Sequence, residues 1–221
     1  MNSAEAGGTL DAIILAGGRA ERLGGASKPD LVVSDRTLLA TAIAAAQAAR
    51  PARIVVVGPP SLDAPGCVVV REDPPFGGPV AALAAGLAIL RADAASTPTH
   101  SSSASIAHDP APGRAGVLVL ACDMPDAPSA VARLLAAGAA GADGVCLRDA
   151  HGRTQWLAAV YTRAALARSI DGLGDDVDGA SMRRLAASLD LIVVDDGGTT
   201  HDIDTWSDLA SARSNRPEAA P

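Results

Sequence analysis

Short apolar runs recur along the chain and are separated by longer segments in which apolar residues follow a helical spacing. Four such runs up to residue 122 predict buried strands, because each is short and is bounded by Gly, Pro or charged residues. These runs occupy 11–16, 53–58, 67–72 and 116–122. Thr37 is a plausible N-cap for a first helix, and Pro79 stands in the first turn of a second helix that reaches about Leu90.

The second half continues the alternation. A helix is expected over about 128–137, and 144–149 and 155–160 predict two strands joined by a His-Gly turn. A further helix is expected from about Thr162. The remaining segments predict a short helix, a strand and a final helix, at 182–188, 191–196 and 205–213.

This order of elements predicts an α/β fold, a three-layer α/β/α arrangement with a mostly parallel central sheet and helices on both faces. We expect one domain over 9–213. Within it, 92–115 has little apolar surface to bury and is interpreted as a flexible insertion. Residues 1–8 and 214–221 are expected to be disordered tails. Ligands bind outside the carboxyl ends of the strands in such sheets, so the loops after the first, third and fourth strands are the candidate site.

The amino-acid composition and net charge limit which residues can form the core and which ligands the protein can bind. Hydrophobic residues make up 48% of the chain and aromatic residues 2%, so Ala, Val, Leu and Ile must build the core. The net charge is −7, and the absence of a basic arm or patch argues against nucleic-acid binding. An acidic protein that handles phosphates must concentrate its positive charge locally or recruit a cation.

The cysteines and the absence of targeting signals bear on location. Cys67, Cys122 and Cys146 have no CxxC spacing and are expected to be buried, reduced thiols. The start of the chain has no secretory pattern, and no apolar run approaches the ~20 residues of a membrane helix. We therefore expect a cytoplasmic protein.

The first loop, LAGGRAERLGGASK at 15–28, combines glycines with positive charge. Gly17 and Gly18 allow a ligand to approach the backbone closely, and N–H groups in such a loop can cradle a phosphate. Arg22 and Lys28 add positive charge, and Lys28 is the single lysine of the chain. The loop matches neither GxxxxGK[ST] nor GxGxxG. It favours a phosphate site over a plain turn.

Carboxylates follow two later segments. Asp123 comes directly after the fourth strand, where it is either a ligand for Mg²⁺ or a turn residue. Asp202 and Asp204 alternate with Ile203, so both carboxylates face the same side of an extended segment and favour a cation between them. Asp204 is alternatively the N-cap of the last helix.

The loop after the third strand is the fourth candidate. Asp73 lies just beyond that strand, and Gly77-Gly78-Pro79 forms a turn into a helix N-terminus. This turn is either a place where a base or ribose approaches closely or an ordinary strand-to-helix loop.

Four motifs together resemble the MobA-like nucleotidyltransferases, the family of molybdenum cofactor guanylyltransferase. The first loop is similar to the family pattern LAGGxxxRxGxxxK, with Arg22, Gly24 and Lys28 in register. GGPVAAL, CDMPDAP and HDIDTWSDL resemble the family's later motifs and occur in the same order. The resemblance spans 11–210, nearly the whole chain.

The resemblance implies a Rossmann-like domain of the GT-A type that transfers GMP from GTP to the phosphate of molybdopterin with Mg²⁺. The implied contacts fall into three groups. Leu15, Ala16 and Gly17 hold the guanine and ribose by backbone contacts, and Gly18 belongs to the same nucleotide-binding loop; Arg22 and Lys28 contact the triphosphate and Asp73 the nucleoside; Asp123 binds Mg²⁺ with Asp202 or Asp204.

Two alternatives stay open. One keeps the chemistry but uses CTP or another donor with a sugar phosphate or other phosphometabolite. The other is a nucleotide-binding protein without turnover. LAGG, in contrast to the LAAG of relatives that resemble cytidylyltransferases, favours GTP, because a Cβ at Gly17 would crowd the larger purine. Pro29-Asp30 and Trp206-Ser207 depart from the family pattern and leave the acceptor open.

Overall fold

Strand β1 lies at the centre of the fold and is buried from its second residue onward. The computed structural model describes residues 9–18, 27–95 and 115–214. In these residues the strands are β1 (Leu10–Leu15), β2 (Val32–Val33), β3 (Arg36–Thr37), β4 (Ile54–Val57), β5 (Val68–Val70), β6 (Gly116–Ala121), β7 (Gly144–Arg148), β8 (Thr154–Thr162) and β9 (Leu191–Asp195). The helices are α1 (Leu38–Ala48), α2 (Gly78–Ala95), α3 (Ala127–Ala137), α4 (Arg163–Asp171), α5 (Met182–Ala186) and α6 (Trp206–Ser214). Short 3₁₀ turns lie at Lys28–Asp30 and Gly174–Val177.

The described residues form a seven-stranded sheet in the order β5-β4-β1-β6-β8-β7-β9. Strand β1 pairs in parallel with β4 on one side and β6 on the other. Strand β8 runs antiparallel to both β6 and β7, while β9 returns parallel to β7. The predicted α/β fold with a mostly parallel central sheet is confirmed.

Two apolar cores cover the two faces of the sheet. On one face, α1 and α3 pack residues such as Leu39 and Leu134 against alternate side chains of β1, β4 and β6. On the other face, α2, α4 and α5 contribute residues such as Leu83 and Leu185. Tyr161, the single tyrosine of the chain, is fully buried in this second core and donates its hydroxyl to the Trp156 carbonyl at 2.7 Å. The aliphatic core expected from composition is therefore present.

The predicted helix starts follow from their capping residues. Thr37 Oγ1 accepts a hydrogen bond from the Ala40 amide at 3.1 Å, and Thr162 Oγ1 accepts one from Ala165 at 3.3 Å. Each threonine thus satisfies one of the free N–H groups at its helix start.

Two differences from the sequence prediction concern short or extended elements. Helix α2 continues to Ala95, into the first residues of the predicted insertion at 92–115. The hairpin of β2 and β3 was not predicted, because two-residue strands carry no readable periodicity. Residues 96–114, and with them most of the expected insertion, lie outside the described residues. So do 1–8 and 215–221, where tails were expected.

Two smaller expectations concern membrane spans and cysteines. No helix in the described ranges combines the length and apolarity that crossing a membrane requires. Cys122 and Cys146 are buried free thiols and Cys67 is a half-buried one. Burial raises the pKa of Cys146 to about 11.

A buried charge cluster lies at the amino end of the sheet, opposite the candidate site. Asp11 is 1% exposed and accepts hydrogen bonds from Arg163 and, at 3.3 Å, from Arg53. Arg53, which directly precedes β4, also donates to the Leu90 carbonyl at 2.8 Å and so connects this end of the sheet to α2. Among the described residues, Asp11 Oδ1 and Arg163 Nε lack a hydrogen-bond partner. The cluster therefore depends on charge compensation in a poorly hydrated place.

Asp11→Ala is expected to destabilise the fold by about 3–5 kcal/mol, because it leaves buried guanidinium charge without its carboxylate. Urea unfolding monitored by circular dichroism measures the change. Asp171→Ala is the matched control: its ion pair with Arg91 is exposed, and its loss should lower stability by less than about 1 kcal/mol. Equal effects of the two substitutions would contradict this account.

Candidate active site

The carboxyl ends of β1, β5 and β6 bring three loops to one edge of the sheet. Between these loops lies a cavity of about 550 Å³. Of the residues to which the sequence assigned a ligand contact, six line it: Leu15, Gly17, Gly18, Lys28, Asp123 and Asp204. Gly78 and Pro79 of the fourth candidate turn line it too. Glu72, Phe76 and Cys122 line it as well. The edge and the loops are those expected for a ligand site in an open α/β sheet.

A lysine held between two carboxylates forms a polar part of the cavity lining. Lys28 Nζ lies 3.1 Å from Asp123 Oδ2 and 2.5 Å from Asp204 Oδ1. Partial burial alone would lower the pKa of Lys28, but the hydrogen bonds and charges of Asp204 and Asp123 outweigh it and raise that pKa above its usual value. Lys28 therefore stays protonated throughout the neutral range.

The 202–204 segment is fixed by its central apolar residue. Ile203 is fully buried against Val33, Leu38 and Leu209, and its amide donates to the Asp123 carbonyl at 3.0 Å. With Ile203 directed inward, its two acidic neighbours must lie on the outer side of the extended segment. This anchor brings Asp204 to a residue 176 positions earlier in the chain.

The last helix is capped by Thr205, which leaves Asp204 available for Lys28. Thr205 Oγ1 accepts from the Asp208 amide at 3.2 Å. In return, Asp208 Oδ2 accepts from the amides of Thr205 at 2.8 Å and Asp204 at 3.1 Å. This reciprocal arrangement is a capping box with Asp in place of Glu. Asp204 was considered either as a cation ligand or as the N-cap of the last helix. In the structure the N-cap is Thr205, and not Asp204.

The turn that precedes the 202–204 segment is held by the buried side chain of Asp196. Asp196 is 2% exposed, and its carboxylate accepts from the Gly198 amide at 2.7 Å, from the Thr200 amide at 3.1 Å and from the Thr200 hydroxyl. The Asp196 amide donates to the Arg148 carbonyl at 3.0 Å and so fastens the turn to β7. Although burial would raise it, these hydrogen bonds hold the pKa of Asp196 below its usual value.

The surroundings of Asp202 raise the pKa of its carboxyl group. The residue is exposed at the surface, but desolvation by the protein, followed by the charges of Asp123 and Asp204, raises its pKa to about 7. Three carboxylates therefore share one neighbourhood around the Lys28 ammonium.

These donors fit a divalent cation in one particular way. Within the described residues, no group of three or more His, Cys, Asp or Glu side chains is arranged to hold a metal ion. Mg²⁺, however, uses only one or two carboxylates when substrate phosphates complete its shell. Asp123 and Asp204 provide two hard oxygen donors that already share one cationic partner. The pair fits a metal that arrives with a phosphorylated ligand.

The glycine loop presents backbone to the cavity. Ala16 is buried, and its amide donates to the Val57 carbonyl at 2.8 Å, which continues the β1–β4 ladder. Among the described residues, a Cβ built on Gly17 would meet no atom within 4 Å, and Gly18 has a φ of +132°. Space at Gly17 is therefore open toward the cavity, while Gly18 has a backbone conformation that favours glycine. Arg22 lies outside the described residues.

In the loop after β5, Glu72 lines the cavity and Asp73 does not. Glu72 is 9% exposed, and its Oε1 accepts from the Phe76 amide at 3.0 Å. Asp73 is exposed and is absent from the cavity lining. Farther along the loop, Gly77 lies against Asp178: a Cβ on Gly77 would come 2.4 Å from Asp178 Oδ1, and the Gly77 carbonyl accepts from Gly179 at 2.8 Å. The acidic, glycine-rich segment around 171–180 therefore supports this loop.

Sequence reasoning missed Glu72, Phe76, Asp178 and Asp196 as residues of the site or its support. Phe76 carried one readable signal, since it is the single phenylalanine of the chain and stands in a glycine- and proline-rich loop. The other three are acidic residues in acidic stretches, and their hydrogen bonds depend on distant backbone.

The arrangement combines open backbone, a fixed ammonium and paired carboxylates at the carboxyl edge of an α/β sheet, which suits a phosphate-bearing ligand and a cation. The sequence model of the MobA-like NTP transferase domain matches residues 12–192, and the chain belongs to that family. Nucleotidyltransferases of this family typically use a divalent metal.

Solved structures agree with this assignment at the level of the fold. Molybdopterin-guanine dinucleotide biosynthesis protein A from Archaeoglobus fulgidus is 17% identical, with a TM-score of 0.61 over 92% of this chain and 97% of that one. The 2-C-methyl-D-erythritol 4-phosphate cytidylyltransferase from Thermus thermophilus is 21% identical, with a TM-score of 0.62 over 93% and 98%. Rv0371c from Mycobacterium tuberculosis H37Rv, in complex with manganese, is 18% identical, with a TM-score of 0.60 over 94% and 100%. A search of curated proteins found no matching sequence.

Asp196→Asn tests the support of the 202–204 segment. The amide side chain cannot accept all three hydrogen bonds, so we expect a loss of about 1–3 kcal/mol in unfolding free energy at pH 7. Because the folded-state pKa of Asp196 is depressed, the carboxylate stabilises the fold above the unfolded pKa of about 3.9. That contribution disappears as the pH falls through the folded pKa.

Denaturant unfolding at pH 7 and near pH 3 provides the measurement. The difference between wild type and Asp196→Asn should shrink in acid. A difference that is independent of pH would mean that the Asp196 charge does not stabilise the turn.

Proposed function

We propose that this protein transfers GMP from GTP to the phosphate of molybdopterin, forming a guanine dinucleotide cofactor and releasing pyrophosphate. The observation that carries the proposal is the Lys28 ammonium held between Asp123 and Asp204 at the edge of a cavity lined by the LAGG loop. The four motifs that resemble guanylyltransferases add the choice of donor and acceptor.

The reaction requires little covalent participation by protein groups. An oxygen of the acceptor phosphate forms a bond to the α-phosphorus of GTP, and the bond from that phosphorus to the bridging oxygen breaks as pyrophosphate leaves. The acceptor is a phosphate monoester and is anionic near neutral pH, so no general base is needed. The remaining tasks are in-line positioning and neutralisation of charge.

Each residue has a place in this scheme. The backbone of Leu15, Ala16 and Gly17 borders the space for the base and ribose, and Gly18 allows the chain to turn beside them. Lys28 exchanges its carboxylate partners for phosphate oxygens and stabilises the departing pyrophosphate. Arg22, by its place in the motif, is assigned to the same phosphates.

Asp123 and Asp204 would hold Mg²⁺, and Asp202, which is near enough to feel both of their charges, is the alternative partner of Asp123. When bound, the metal supplies positive charge that offsets the approach of one anion to another. The paired carboxylates account for how a protein of net charge −7 handles polyphosphates.

A second candidate is transfer from CTP or another donor to a sugar phosphate. It is favoured by the equal similarity of the fold to the cytidylyltransferase from Thermus thermophilus. Pyrophosphate release measured over a panel of nucleoside triphosphates and phosphorylated acceptors separates the candidates. Release with GTP and molybdopterin alone supports the first; release with CTP and a sugar phosphate supports the second. A wild-type protein that binds nucleotide without turnover would sink both.

Asp123→Asn should reduce turnover by a factor of about 100 or more, because the substitution removes a charge that holds the cation. Stability in the absence of nucleotide should change by about 1 kcal/mol or less, since the pair with Lys28 is partly exposed. The thermal stabilisation produced by GTP with Mg²⁺ should largely vanish.

Asp126→Asn is the matched control for Asp123→Asn. Asp126 lies in the same turn, is exposed and does not line the cavity. Turnover of this control should stay near that of the wild type. Near-full activity of Asp123→Asn, or its global unfolding, would remove the metal assignment.

Gly17→Ala tests the choice of base. Within the part of the chain that the structure describes, the added methyl meets no atom within 4 Å, so the melting temperature should change little. Inside the cavity, however, the methyl takes space beside the base, and binding of GTP should weaken more than binding of CTP. Calorimetric titration of both nucleotides gives the comparison; equal weakening would assign Gly17 to loop geometry alone.

A further inference from the structure

An exposed phenylalanine in a strained backbone conformation lines the cavity. Phe76 is 51% exposed and is the single phenylalanine in a chain with 2% aromatic residues. Its φ is +69°, in the left-handed region that bulky side chains rarely adopt. An isolated exposed apolar side chain is ordinary, but one kept at positive φ beside a ligand cavity needs a reason.

Two neighbouring residues hold the ring in place. The nearly buried Glu72 carboxylate accepts the Phe76 amide hydrogen at 3.0 Å and so fixes the backbone of the strained residue. The Arg71 guanidinium carbon lies over the ring, 5.1 Å from its centroid. A cation over an aromatic face is attracted to it, and this contact favours a defined orientation of the side chain.

We propose that Phe76, backed by Arg71, is a substrate-binding residue that stacks on a planar heteroaromatic ring of the substrate. The ring is either the nucleobase of the donor or the pterin of the acceptor. The inference rests on the proposed function and adds to it a side-chain contact for a ring that the phosphate-directed groups do not provide. Stacking on an aromatic side chain suits this task because it accepts any planar ring and is strengthened where water is displaced.

The strain provides the decisive experiment. Glycine adopts a positive φ without strain, so Phe76→Gly removes the ring and relieves the backbone. The variant should keep or raise the melting temperature and yet bind its ring-bearing substrate about 5- to 100-fold more weakly. Phe76→Tyr keeps the ring and should bind as the wild type does, whereas Phe76→Leu keeps apolar bulk without a π face and should fall between the two.

Binding is measured by calorimetry in Mg²⁺ buffer with three probes: GTP, a soluble pterin phosphate, and inorganic tripolyphosphate, which has charge but no ring. Weakening of GTP alone assigns the ring to the nucleobase, and weakening of the pterin alone assigns it to the acceptor. Tripolyphosphate binding should be unchanged in both cases.

Three results would overturn the inference. Wild-type affinity of Phe76→Gly for both ring-bearing probes excludes stacking. A loss that includes tripolyphosphate shows that the loop, and not the ring, matters. Equal affinities of Phe76→Leu and the wild type show that apolar contact suffices. Failure of the proposed function is separate, since it appears in the wild type as an absence of nucleotide binding or pyrophosphate release.

Discussion

The parallel register of β1 between β4 and β6 is the constraint on which the site depends. Leu15 is opposite Val57 on one side and Ala121 on the other, so three chain segments end at the same level of the sheet. Hydrogen bonds from Ala16 to Val57 and from Cys122 to Leu15 continue the ladder one residue beyond the strands. Backbone geometry alone therefore places the glycine loop and Asp123 side by side, independently of any side-chain contact.

Charge compensation then organises the side chains at that edge. Asp123 and Asp204 would repel each other in a partly desolvated place, and the Lys28 ammonium between them offsets that repulsion. The same ammonium is a suitable partner for phosphate oxygens. A ligand that brings both phosphate and a divalent cation can thus replace each of these contacts with an equivalent one, which keeps reorganisation of the site small.

The sequence allowed prediction of what local patterning encodes. Buried strands, the helix cap at Thr37, the helix start near Thr162, and the β7–β8 pair with its His-Gly turn all follow from short-range signals. The glycine loop, Lys28 and Asp123 were found because residue type and position after a strand are both informative. What could not be predicted depends on distant partners: the capping role of Thr205 instead of Asp204, the support of Gly77 by Asp178, and the exchange of Asp73 for Glu72 in the cavity wall. These outcomes depend on which surfaces meet across the fold, and neither periodicity nor spacing records that.

The buried Asp11 cluster and the candidate active site lie at opposite ends of the same strand. Asp11 begins the buried part of β1 and Leu15 ends it, so the length of one short strand separates charges that stabilise the domain from charges that line the cavity. Evolution can therefore adjust thermal tolerance at one end and substrate range at the other with little interference between them. Relatives with the same sheet can diverge in the molecules they join while they keep a common foundation beneath the site.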